Sequence, residues 1–333
     1  MFNNLVNWRD LYFLAHGLRS GSIWRTLRRW VWGSKRAVET TWEQTGRPPS
    51  YFWNIPSVCR RANRLITGDP NLDYTAYVSQ TYLASLQPLH GLSLGCGTGE
   101  KELTWIRHCR YARLDAYDIS TPRIAYARSQ AEVAGRSEVH YHVAEFDQID
   151  WPEVHYDVVF GDQALHHVAP LEPLLLKIRS ALKPTGYLVV SEFIGPTRFQ
   201  WTDRQLEVIN GVLAILPRRY RRRWSNDRIK VRVYRPSRLR MMLGDPSEAV
   251  ESARIVPLLE RHFEIVERQD YGGTIVHMLF DDIAHNFLNE QGQERDENAR
   301  CLIDLCFQIE DSLLELGELE SDFALLICRP PAS

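Results

Sequence analysis

The stretch Leu92-Ser93-Leu94-Gly95-Cys96-Gly97-Thr98-Gly99-Glu100 constrains the fold more than any other part of the chain. A short apolar run with strand character enters a turn that has glycine at every second position, and a helical pattern starts at Lys101. Strand, glycine turn and helix together make a ligand cradle. Glycine tolerates positive φ and lets a bound group approach the backbone with no Cβ in the way. A dinucleotide fingerprint, G-x-G-x-x-G, would need glycine where this chain has Glu100, so the pattern here is G-x-G-x-G. Taken alone, such a turn also fits a ligand-free connection.

The segments that follow keep the same rhythm. Tyr111 to Tyr117 reads as a second strand ending at Asp118, 19 residues past Gly99 and near the ~20-residue offset of an acid that accepts hydrogen bonds from a ribose diol. Ser120-Thr121-Pro122 supplies a hydroxyl cap and a proline for a helix start. Val139 to Val143 reads as a third strand, followed by Glu145-Phe146-Asp147. Tyr156 to Phe160 reads as a fourth and runs into Gly161-Asp162-Gln163-Ala164-Leu165-His166-His167. After a helical pattern over Leu171 to Leu182, Lys183-Pro184-Thr185-Gly186 breaks the chain before a fifth strand, Tyr187 to Phe193. Strands alternating with helices predict a parallel, doubly wound sheet, whose ligands sit beyond the carboxyl ends of the strands. Gly95, Asp118, Glu145, Asp162 and Glu192 all fall at that edge.

The G-x-G-x-G turn and the Gly161–His167 segment resemble motifs I and IV of the class I S-adenosylmethionine-dependent methyltransferases. The resemblance implies an α/β, Rossmann-like doubly wound sheet, mostly parallel, with N-terminal helices and an inserted lid. Two late strands, Phe263 to Arg268 and Phe323 to Cys328, would supply its antiparallel edge. It implies S-adenosylmethionine as cofactor, held by Gly95, Cys96, Gly97, Thr98 and Gly99, with Asp118 and Ile119 at the ribose. Glu145 would take the adenine amino group and Phe146 would pack on the ring, with Asp147 competing for the acid's role. Asp162 and Gln163 would line the pocket, and Tyr77 would reach it from a helix closing over the cofactor. His166 and His167 fall beside the expected methyl position. A histidine near its unperturbed pKa of about 6.5 suits a general base, and the same pair also suits a purely structural part of the pocket. Glu192 and His277 are rival bases, and Arg198, Trp201 and His277 are candidates for the substrate side.

The pattern divides into a helical extension (1–86), a core (87–195 and 261–331), an inserted lid (196–260) and a helical insertion within the core (274–318). Asp245-Pro246-Ser247-Glu248 has capping-box spacing and predicts a helix start. From 217 to 240 there are eleven basic residues and one acid, Asp227, in a chain of net charge −2. That segregation suits a phosphate or diphosphate, an acidic glycan, RNA or a membrane surface; alternatively it is a solvated face paired with the acid-rich 281–322. Residues 1–47 hold eight basic residues against three acids, interleaved with Trp8, Tyr12, Phe13, Trp24, Trp30, Trp32 and Trp42. A core-facing helix or one lying on an anionic membrane accounts for that mixture.

Composition excludes several classes. The near-neutral net charge gives no strong nucleic-acid signal. The six cysteines form no C-x-x-C pair and no zinc spacing, so no metal is expected. No apolar run reaches the ~18 residues of a membrane span and no secretory signal opens the chain, so the expected location is cytoplasmic, with peripheral contact at the inner membrane face left open. Phe193 to Trp201 and Tyr271-Gly272-Gly273-Thr274 resemble bacterial methyltransferases associated with surface-polysaccharide synthesis. That narrower resemblance implies O-methylation of a hydroxyl on a small molecule, sugar or glycan. An RNA methyltransferase using the basic lid and a non-catalytic cofactor-binding module are the alternatives. Oligomeric state has no signature in the sequence.

Overall fold

A computed structural model describes residues 50–331 of the chain. The aromatic-basic segment 1–47 lies outside them. Two short helices, α1 (Pro56–Thr67) and α2 (Tyr74–Val78), precede the sheet. The strands are β1 (Leu89–Leu94), β2 (Tyr111–Asp118), β3 (Val139–Val143), β4 (Tyr156–Asp162), β5 (Leu182–Phe193), β6 (Glu264–Gly272) and β7 (Phe323–Arg329). Between them run α3 (Glu100–His108), α4 (Thr121–Val133), α5 (Leu171–Ala181), α6 (Asp203–Ile215), α7 (Arg238–Gly244), α8 (Ile255–His262), α9 (Val276–Phe280) and α10 (Glu297–Glu315).

The sheet order is β3-β2-β1-β4-β5-β7-β6. β1 to β5 pair in parallel, while β7 runs antiparallel to both β5 and β6. The antiparallel character expected at the edge therefore comes from β7, which slots between β5 and β6. The central strands are continuous apolar runs because helices cover both faces. Val158 and Phe160 point into one hydrophobic cluster, with α1, α3, α4, α6, α9 and α10. Val159 points into the other, with α5 and α8. The order reverses at β1, where the crossovers on either side leave a crevice above the strand ends.

The lid departs from expectation at one point. Asp245-Pro246-Ser247-Glu248 starts no helix but follows the end of α7. The Asp245 carboxylate accepts from the backbone N–H of Ser247 (2.9 Å) and its hydroxyl (2.6 Å), which closes a turn and not a helix. Ala249 then takes a positive φ of 48°, and the Val250 N–H donates to the His166 carbonyl at 2.9 Å. The segment is thereby laid across the end of β4. Among the described residues no helix is long and apolar enough to cross a membrane.

Candidate active site

A cavity of about 640 Å³ opens at the carboxyl edge of the sheet. Its floor is the glycine turn. Gly95 has φ +68° and an added Cβ would lie 2.7 Å from Cβ of Ala164; Gly99 has φ +81° and its Cβ would lie 2.7 Å from the Tyr141 hydroxyl. Both positions exclude side chains on conformation and on space. Gly95 lines the cavity, while Cys96 to Gly99 complete the turn into α3. Asp118 ends β2 at the cavity wall, 8% exposed. Its two oxygens accept from the N–H groups of Gly97 (2.9 Å) and Ser120 (2.8 Å), so the carboxylate ties the glycine turn to the start of α4. Ile119, Glu145, Phe146 and Asp147 continue the wall, and Lys177 holds the Phe146 carbonyl at 2.9 Å. Gln163, Ala164 and His167 form the opposite wall, and Pro246, Ser247 and Val250 of the lid roof it.

Beside that wall lies a charged cluster. Glu192, at the end of β5, is fully buried. One of its oxygens accepts from the backbone N–H groups of Ala164 (2.8 Å), Leu165 (2.7 Å) and His166 (3.4 Å). The other contacts His166 Nδ1 at 2.5 Å. His166 Nε2 then faces Glu248 Oε1 at 3.5 Å. Burial pushes the His166 pKa down, but the charges of Glu192, Glu248 and Asp245 outweigh it and hold it above the ordinary histidine value. Burial raises the Glu248 carboxyl to about 7 despite the opposing pull of His166. His167 is driven well below the usual range by burial and by His166, so it is neutral. Its Nδ1 lies 3.3 Å from the Ser247 hydroxyl.

Several sequence-predicted residues are placed elsewhere. Glu192 cannot serve as a free base, because both oxygens are committed to backbone and imidazole; it orients His166 instead. Tyr77 hydrogen-bonds Glu267 of β6 at 2.9 Å, away from the cavity. One turn earlier, Tyr74 donates to Asp162, and Lys101 lies 3.3 Å from the same carboxylate. Asp162 therefore clamps α2 to the sheet edge and does not line the cavity. Arg198 sits at φ +57° with its guanidinium on the carbonyls of Asp245 (3.5 Å) and Glu248 (3.2 Å), so it pins the lid. Trp201 is 1% exposed and stacks on Phe199 at 5.0 Å, as core. His277 packs among Phe52, Phe193, Phe199 and Phe323. Burial, with Lys230 and His166, drives its pKa to about 3, too low for a base at neutral pH.

Sequence reasoning missed Glu248 and Tyr74. Glu248 sat inside an apparent capping box, and Tyr74 was passed over for its neighbour on the same helix. No metal was expected, yet His166, His167 and Glu248 bring possible ligand atoms within 4.8 Å of one another. Proton sharing between Glu248 and His166 accounts for the same approach. Because Arg198 holds the lid through two carbonyls, Arg198→Ala is expected to speed cleavage within 245–250 in limited proteolysis several-fold, with the melting temperature nearly unchanged.

The cavity suits an adenosyl sulfonium ligand: a glycine-rich turn, an acid at the end of β2, and an acid beside an aromatic ring farther along. Residues 92–190 match the family described as methyltransferase domain. The fold is a Rossmann-like α/β sheet with one antiparallel strand. Two relatives are similar to part of the chain. A 27-O-demethylrifamycin SV methyltransferase from Amycolatopsis mediterranei is 25% identical over 40% of this chain and 52% of its own length. A sterol 24-C-methyltransferase from Candida albicans is 24% identical over 42% of this chain and 38% of its own. The chain thus spans about half the length of these relatives or less. An S-adenosylmethionine-dependent methyltransferase from Mesorhizobium loti superposes with a TM-score of 0.43 at 17% identity, covering 76% of this chain and 96% of that one.

Proposed function

We propose that this chain transfers the methyl group of S-adenosylmethionine to a hydroxyl of a small molecule or sugar. The observation that carries this reading is His166, with Nδ1 fixed on Glu192 and Nε2 directed at Glu248 beside the cofactor cavity. S-adenosylmethionine supplies an electrophilic methyl carbon on sulfur. The residues that would hold it are Gly95, Asp118, Glu145 and Phe146.

An alcohol gains a bond to carbon only as it loses its proton, so the chain must supply an acceptor. His166 takes that proton at Nε2. Glu192 keeps Nδ1 protonated, fixes the ring plane and stabilises the imidazolium that forms, as an orienting carboxylate does in hydrolytic triads. Three backbone N–H groups keep Glu192 from following the proton. Glu248 holds the place the acceptor hydroxyl takes, and the raised pKa lets it leave as a neutral carboxyl. Proline and valine of the lid exclude water from the cavity. The relative named for an O-demethylated rifamycin supports a hydroxyl acceptor; a sugar or glycan is what the resemblance of segments 193–201 and 271–274 to polysaccharide-associated methyltransferases implies.

Because the base must be neutral, kcat/KM is expected to rise with pH through the elevated His166 pKa and then level off. Glu192→Gln removes the charge that raises it, so the acidic limb should move to lower pH while the plateau falls about tenfold or more. A limb that stays in place excludes His166 as the titrating group. The acceptor is tested by incubating the protein with methyl-labelled cofactor and fractionated extract. Label recovered as a methyl ether supports the proposal; label on nucleic acid or on carbon overturns it.

A further inference from the structure

The basic run of the lid is not a loose loop. Arg222 and Ile229 pair as an antiparallel bridge, and the chain between them turns at Asp227 with φ +60°. The base of this hairpin is built in. Lys230 is 2% exposed and its ammonium donates to the carbonyls of Met278 (2.7 Å) and Leu279 (3.2 Å) at the end of α9. Asn286 donates to the Arg222 carbonyl at 2.6 Å. Asp282 ties the tip: its carbonyl accepts from Trp224 N–H (2.8 Å), and its carboxylate holds Ser225 (2.7 Å) and Arg223 (2.9 Å).

Cationic and apolar side chains are both exposed along and beside this run. Trp224 is 55% exposed, Val231 72%, and Ile215, just before the basic run, 60%. Pairing with the acid-rich region accounts for Arg223 alone of the hairpin arginines, through Asp282; Arg222 pairs with Asp227. Among the described residues Arg218, Arg228 and Arg232 make no ion pair.

The described chain begins at Ser50, whose carbonyl accepts from the Asp282 N–H at 3.1 Å, the residue that also ties the hairpin tip. The 49 residues before it carry the arginines and tryptophans noted above.

We propose that this face seats the protein on an anionic lipid bilayer. Arginines contribute attraction to the surface charge, tryptophan prefers the interfacial zone, and exposed valine and isoleucine gain by entering the acyl boundary. A nucleic-acid strand would use the charges and the indole but not the aliphatic side chains. The proposal stands independently of which acceptor is methylated.

The test is co-sedimentation of the full chain with phosphatidylcholine vesicles, with and without phosphatidylglycerol. Binding is expected only with phosphatidylglycerol, and it should weaken as salt shortens the screening length. The triple substitution Arg218→Glu, Arg228→Glu, Arg232→Glu should lower partitioning at least about tenfold, and Trp224→Ala about threefold. These side chains are exposed and lie outside the cavity, so cofactor affinity should be unchanged in both variants, which confirms their folding. Pelleting that ignores phosphatidylglycerol or the triple substitution overturns the proposal. So does retention of RNA through the same arginines without vesicle binding.

Discussion

Turnover of His166→Ala is expected to fall by about 10²–10⁴-fold, the usual contribution of a positioned general base. Cofactor affinity should stay within about threefold, because His166 does not line the cavity. His167→Ala gives the contrasting result. His167 does line the cavity and is neutral, so its loss should weaken cofactor binding more than it slows the chemical step. Calorimetry with the demethylated cofactor and a single-turnover assay separate the two. Equal loss of turnover in both variants would show that the pair acts as a structural unit and that the base lies elsewhere. The contrast rests on one asymmetry: of the two imidazoles, only His166 has a buried carboxylate on Nδ1.

The second large effect concerns Asp118. Asp118→Ala should raise the dissociation constant for S-adenosylmethionine about 100-fold or more. A carboxylate on a ribose diol makes hydrogen bonds to a charged group, each worth about 1.5–3 kcal/mol, and 1.4 kcal/mol is tenfold. The substitution also frees the N–H groups of Gly97 and Ser120, so the glycine turn loses its tie to α4. Asp118→Asn separates the two roles. Its remaining oxygen can still hold one N–H, so the turn should keep its shape while affinity falls by about tenfold. Titration calorimetry measures both. Unchanged affinity in the alanine variant would place the ribose away from β2.

Much of the frame was readable from residues near one another in sequence. The G-x-G-x-G turn, Asp118 and the Ser120 cap each depend on backbone conformation within a few residues, and the apolar runs of β1, β4 and β5 report burial on both faces. That was enough for a doubly wound sheet and for a cavity at its carboxyl edge. Local pattern misled where a side chain had two plausible directions. Tyr74 and Tyr77 share one short helix, and only packing of that helix against β4 and β6 decides which of them meets Asp162 and which meets Glu267. Arg198 and Trp201 looked like substrate contacts because they lie in the lid, yet the lid needs them for its own hydrogen bonds and core.

The sequence by itself determined the glycine turn, the acid that ends β2 and the alternation of strands with helices, since each is written in spacing and in the conformational freedom of single residues. Only the tertiary structure decided that Glu192 orients His166, that Glu248 covers its other nitrogen from 82 residues away in the chain, and that Asp282 ties the tip of the basic hairpin. Those relations depend on which elements pack side by side, and the distance between two side chains in a folded chain is not a function of their separation along it.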